Sequence, residues 1–203
     1  LAAPAWADEY AEVQRLQRAG QTSEALARAD KYIAAKPRDP QMRFLKGVIQ
    51  TEAGKPADAI TTFTKLTEDY PELPEPYNNL AVLYAGQSQF DKARAALEMA
   101  IRTNPSYATA HENLGDVYAK LASQAYSKAL QLDAGNPAVA PKLSLIRNLF
   151  AADAKGTKAT TTAMLGMDLS GMDTGTSPDP DQPPKEEEGV GKKLLKGLLN
   201  RGL

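Results

Sequence analysis

The chain of 203 residues has no cysteine, a single histidine (His111), and aromatics at only 6% of its residues. Without thiols there is no disulfide and no thiol nucleophile. That absence names no compartment, since exported proteins also dispense with cysteine. One histidine leaves no His-based metal site. An excess of one charge is also lacking: 24 Lys and Arg stand against 25 Asp and Glu, for a net charge of −1. No global electrostatic pull toward nucleic acid follows. No stretch approaches the ~20 apolar residues of a membrane span. There is no H-E-x-x-H, no phosphate-cradling glycine loop and no serine elbow. The expectation is a protein that is not an enzyme, with no cofactor, no metal and no nucleic-acid partner. Alanine is plentiful and suits close helix–helix packing.

A period replaces the missing chemistry. Gly20, Ala25 and Pro37 are followed, each 34 residues on, by Gly54, Ala59 and Pro71. Ala93 and Pro105 come 34 later again, with Ser88 in place of the glycine. This spacing marks a helix–turn–helix unit that stacks on copies of itself. The register starts at Trp6, Pro40, Pro74 and Ala108, and the two helices of each unit are called A and B. In the first unit Val13 and Leu16 form the inner face of helix A, and Gly20 makes the turn. Thr22 or Ser23 is expected to cap helix B. Ala25 is the small residue where the helices cross, and Pro37 ends the unit. The second unit repeats this with Gly47, Gly54, Ala59, Ile60, Phe63, Leu66 and Pro71. The third has Tyr77, Leu80, Ala81, Tyr84, Phe90, Ala93, Leu97, Ala100 and Pro105.

Leu80-Ala81-x-x-Tyr84 with Ala93, Leu97, Ala100 and Pro105, and Asn113-Leu114-Gly115-x-x-Tyr118 after them, resemble the signature of tetratricopeptide repeats. The resemblance runs from Asp8 to about Asp133. It implies an all-α, right-handed solenoid of helix hairpins that binds a protein or peptide ligand on its concave face. The positions it assigns to that groove are Tyr10, Gln14 and Gln17; Phe44, Val48 and Thr51; Asn78, Val82 and Ala85; and Glu112, Asp116 and Lys120. Some family members clamp a partner's C-terminal carboxylate with Lys and Asn at these places. Tyr10 and Gln14 stand there instead, so the clamp is not carried over. An extended or helical peptide held by amide and apolar contacts is expected. By the same resemblance His111 sits where a packing aromatic usually does.

The fourth unit, 108–134, departs from the pattern. Ala129 falls five residues before its register position, and neither Gly nor Pro interrupts Ala119 to Asp133. A short turn near Ser123 and a fusion of helices A and B are both compatible with this; a fused or sharply kinked helix is favoured. Gly135-Asn136-Pro137 then stops the helix. Leu143, Leu145, Ile146, Leu149 and Phe150 recur at helical spacing, as expected for a terminal capping helix over 137–153. Residues 154–188, rich in Gly, Thr, Asp and Pro, are expected to be a disordered linker. In 189–203, Val190, Leu194, Leu195, Leu198 and Leu199 oppose Lys192, Lys193 and Lys196, with Arg201 out of place. This is the pattern of a cationic amphipathic tail helix, for peripheral contact with an anionic membrane or a second partner. At the other end, Ala5-Trp6-Ala7 before Asp8 has the form of a signal-peptidase site. Residues 1–7 therefore read as a signal-peptide remnant, with the solenoid over 8–153. The function expected is a scaffold or adaptor in the periplasm, serving envelope assembly, secretion or maturation. The alternative is a cytosolic assembly factor or co-chaperone with no membrane role.

Overall fold

A computed structural model describes residues 5–153, and every regular element among them is a helix. In order these are α1 (Ala5–Arg18), α2 (Thr22–Ala35), α3 (Pro40–Glu52), α4 (Pro56–Asp69), α5 (Pro74–Gly86), α6 (Phe90–Thr103), α7 (Ala108–Leu132) and α8 (Val139–Asp153). The expected linker and tail, 154–203, lie outside the described residues.

Three hairpins are built alike. Each turn places one residue in the left-handed region: Gly20 at φ +71°, Gly54 at +67° and Ser88 at +58°. Each is locked by the same bond back across the helix end: Gln21 N to Leu16 O, Lys55 N to Gln50 O and Gln89 N to Tyr84 O, all at 2.9 Å. This is the glycine-type helix stop in which N–H groups beyond the helix satisfy its last carbonyls. Ser88 holds the conformation without glycine's freedom, at a cost of roughly 1–2 kcal/mol. Pro37, Pro71 and Pro105 each follow a B helix by two residues, since the residue before proline disfavours helical angles. Pro40, Pro56 and Pro74 open α3, α4 and α5, where a missing N–H costs nothing. The expected hydroxyl cap of α2 is not made. Gln21 is its N-cap and makes no side-chain cap bond, because the tight turn brings the helix start one residue earlier.

Small residues sit at the crossings. Ala25, Ala59 and Ala93 are fully buried, and so are Phe63, Leu66 and Leu97 one or two turns on. One core joins α1, α2 and α3 through Val13, Leu16, Ala29, Tyr32, Met42, Leu45 and Ile49. Another joins α5, α6 and α7 through Ala81, Ala93, Leu97, Ala100, Ala110 and Val117. The two are bridged by α4, which packs on α3 and α5.

The fourth unit has no hairpin. α7 is one helix of 25 residues. At the register position of the turn residues Gly20, Gly54 and Ser88 it carries Ala122. Alanine gains nothing from the left-handed region and is the best helix former, so the helix continues. α8 runs back along its second half: Lys120 lies over the Phe150 ring at 3.6 Å, and Lys142 over Tyr126 at 5.7 Å. The cap's expected apolar face divides. Val139 and Leu143 are buried and Ile146 and Phe150 half-buried, whereas Leu145 and Leu149 remain 70% and 57% exposed.

Candidate functional site

The groove positions assigned to the A helices do not form one uniform surface. Phe44, Val48 and Asn78 are buried, which corrects their assignment as groove-lining side chains. Phe44 turns into its own hairpin, its ring 5.5 Å from that of Phe63. Asn78 accepts a hydrogen bond from Asn113 Nδ2 at 2.8 Å, a buried amide pair between α5 and α7. Tyr10 is half-buried and committed elsewhere, because its hydroxyl donates to Asp39 Oδ1. Tyr32 donates to the other oxygen at 2.8 Å, and the two rings meet edge-on at 5.5 Å. Asp39 Oδ1 also accepts from the backbone N–H groups of Gln41 and Met42, and so caps α3. Burial, and then the Asp39 carboxylate, raises both phenols above their ordinary pKa. One carboxylate thus ties three helices together.

The remaining positions are accessible. Gln17 Nε2 donates to Glu52 Oε2 at 2.8 Å, linking α1 to α3 side by side. Gln14 Oε1 accepts from Arg18 at 3.3 Å, and the Thr51 hydroxyl donates to the Gly47 carbonyl at 2.9 Å. Val82 and Ala85 are half-buried apolar positions. On α7, Glu112 is exposed, Asp116 half-buried, and Lys120 held over Phe150. Glu52 and Asn113 were not among the assigned residues. Glu52 occupies the register position that Lys120 holds in the fourth unit, so the same spacing locates it. His111 is exposed, with Nε2 3.0 Å from the Pro105 carbonyl oxygen, and does not pack as an aromatic would.

A second accessible surface belongs to α7. Gly47 and Gly115 share one register position. A methyl group on Gly47 would meet the Phe63 ring at 2.7 Å, while one on Gly115 would meet nothing within 4 Å. In α7 no helix B folds back. On the face Tyr118, Ala122, Ala125, Ala129 and Leu132, spaced four, three, four and three residues, Tyr118, Ala125 and Leu132 are exposed and the two other alanines half-buried. Tyr118 is 49% exposed and Leu132 77%. Among the described residues no group of three or more His, Asp or Glu is placed to hold a metal ion, and no helix is long and apolar enough to cross a membrane.

Two family models match the chain: one described as tetratricopeptide repeat over residues 10–74, and one described as TPR repeat over 84–121. A chloroplastic tetratricopeptide repeat domain-containing protein of Arabidopsis thaliana, PYG7, is 35% identical over 85 residues. That match covers 39% of this chain and 28% of PYG7, so the chain spans under a third of that relative. Among solved structures, MamA residues 41 to end from Desulfovibrio magneticus RS-1 is similar with a TM-score of 0.54 at 22% identity, over 85% of this chain and all of that one. A thermophilic TPR protein of Thermus thermophilus, TTC0263, has a TM-score of 0.53 at 22% identity, over 82% and 94%. At these identities the likeness is one of fold.

Proposed function

Starting from a chain that is a tetratricopeptide-repeat protein, and hence a protein–protein interaction scaffold, we propose that its partner lies across the concave faces of α1, α3, α5 and α7. The observation that carries this reading is the pair of side-chain bridges between successive A helices: Gln17 to Glu52, and Asn113 to Asn78. They hold α1 beside α3 and α5 beside α7, and α4 packs on both α3 and α5, so that Gln14, Gln17, Thr51, Val82, Glu112, Asp116 and Lys120 are read as one strip. Amides, carboxylates and a short apolar floor suit an extended or helical peptide read by shape and hydrogen bonds. Site-specific photo-crosslinkers at Val82 and at Asp116 should form adducts with one partner, and a crosslinker at Glu68 on α4 should not. Equal adducts at all three positions would defeat the reading.

The place of action we propose is the periplasm, in envelope assembly, secretion or maturation. It rests on the Ala5-Trp6-Ala7 sequence and is tested by fractionating cells that express the tagged protein from its own full-length gene. The tail residues Lys192, Lys193, Leu194, Leu195, Lys196, Leu198, Leu199 and Arg201 are proposed to touch an anionic membrane peripherally. Their four basic side chains are each worth about 1 kcal/mol near such a surface. Circular dichroism of the 189–203 peptide with anionic vesicles decides this: a gain of helix is expected, and none would remove it.

A second reading has its own observation in the open face around Gly115 and Tyr118. A partner-supplied helix seated there would complete the fourth unit as α4 completes the second. Tyr118→Asp would then abolish partner capture without lowering the melting temperature.

A further inference from the structure

Repeats two and three differ at two A-helix positions that share one register. Repeat three has Tyr77 and Tyr84, both packed against its core. Repeat two has Arg43 and Gln50 at the same register positions. Arg43 is drawn to the far end of α4, where it pairs with Asp69 at 2.7 Å. Gln50 stays down, 7% exposed, accepting from the Thr62 hydroxyl at 2.7 Å. An open groove of about 800 Å³ lies here on the side away from the A-helix strip, walled by α2 and α4 and floored by α3. Leu26 and Ile33 line one wall.

The charge of this groove has a sign. Two of its four cations are already paired, Arg43 with Asp69 and Lys46 with Asp30, which leaves Lys55 and Lys65 against Asp58. Lys46 is held by Asp30 at 2.5 Å, while Lys55 and Lys65 are accessible on the α4 side. The A-helix strip is biased the other way, with Glu52, Glu112 and Asp116 against Lys120. A ligand of one sign is therefore attracted to one face and turned away from the other. The groove is open to solvent, which suits an extended segment rather than an enclosed small ligand.

We propose that the α2–α3–α4 groove is a second docking site, for an extended acidic segment of a partner protein. Its carboxylates would lie along Lys55 and Lys65, and small side chains would enter over Gln50. A partner bridging both faces would gain from the two attachments through effective concentration.

The test uses the full chain and a fluorescein-labelled ten-residue peptide of alternating Glu and Ser, read by anisotropy at low and physiological salt. The unaltered protein should bind it and ignore the same peptide with Lys for Glu. Lys55→Glu with Lys65→Glu should weaken binding at least tenfold, and Asp58→Lys should strengthen it. These changes are on accessible positions, and thermal melting confirms that they leave the fold intact. Lys128→Glu, on α7 and away from this groove, should change affinity less than twofold. Absence of binding at low salt would overturn the proposal. So would an equal loss with Lys128→Glu, which would mean diffuse attraction, or indifference to the α4 variants.

Discussion

Gly47 and Gly115 hold one position in two repeats, and their surroundings are opposite: the first lies against a phenyl ring, the second against open space. In the second repeat the turn residue is Gly54, the chain reverses, and α4 covers the A helix. In the fourth the turn position carries Ala122, the chain runs on, and the A-helix face that a returning helix would have covered stays open at Gly115 and Tyr118. The glycine suited to a close crossing persists in Gly115 although the crossing is gone. The lesson is that the turn residue decides whether the A-helix signature is buried structure or available surface.

The closed half is the easier to break. Ala93→Trp should have the largest effect. Ala93 has no exposed surface, and it packs in the core that joins α5, α6 and α7. Overpacking costs ~1–3 kcal/mol, and more when a helix must move. An unchanged melting temperature would mean that the repeat register is wrong. Asp39→Ala should come next, at about 2–3 kcal/mol, since it removes a helix cap and the charged acceptor of two phenols. Chemical denaturation would measure it, and a loss under about 0.5 kcal/mol, the low end for a single cap, would show that the tyrosine cluster does not hold the first two repeats together.

The glycine pair sharpens the comparison itself. Gly47→Ala should destabilise by ~1–3 kcal/mol, because the Phe63 ring must move. Gly115→Ala should stabilise by up to about 1 kcal/mol, the ordinary gain in a helix interior with free space. Melting temperatures that shift in the same direction would contradict the open face.

Alkaline titration gives a smaller effect. Burial, and then the charge of Glu75, pushes the Tyr107 phenol up to about 12. Its hydroxyl is buried without a hydrogen-bond partner among the described residues. A phenol whose folded pKa is raised contributes stability that is complete below its unfolded pKa of about 10 and is lost as pH climbs toward about 12. Tyr10 and Tyr32 shift in the same direction. Denaturation midpoints should therefore fall between about pH 10 and about pH 12. Tyr107→Phe should flatten part of that fall while leaving stability at neutral pH within about 0.5 kcal/mol, because no bond is lost. An undiminished slope would remove Tyr107 from the account.

Most of the fold could be read in the sequence, because the 34-residue phase fixes turns, crossings and stops together, and each is enforced locally by Gly, Ala or Pro. The fusion in the fourth unit was readable from the same phase, as a missing turn residue and a five-residue deficit. The binding surface was less readable. Register tells which side of an A helix a residue occupies, but not whether a neighbour buries it. Phe44, Val48 and Asn78 were lost to neighbouring contacts of that kind, and Tyr10 to Asp39, whose place before Pro40 gives no sign of its two phenol partners. The outer groove had a partial signal, in its lining residues Arg43 and Gln50, which stand where repeat three has Tyr77 and Tyr84.

The central claim is that the fourth unit is one continuous helix with an unpartnered face. The chain has no cysteine, so Glu112→Cys with Gln131→Cys admits two spin labels and no others. In a continuous helix, at about 1.5 Å rise per residue, the two sites stand about 28 Å apart along the axis. Double electron–electron resonance should give one narrow distribution near that separation, widened by the label arms. A dominant population below about 15 Å, the spacing of two helices packed in a hairpin plus label reach, would show the chain reversing near Ala122 and contradict the account.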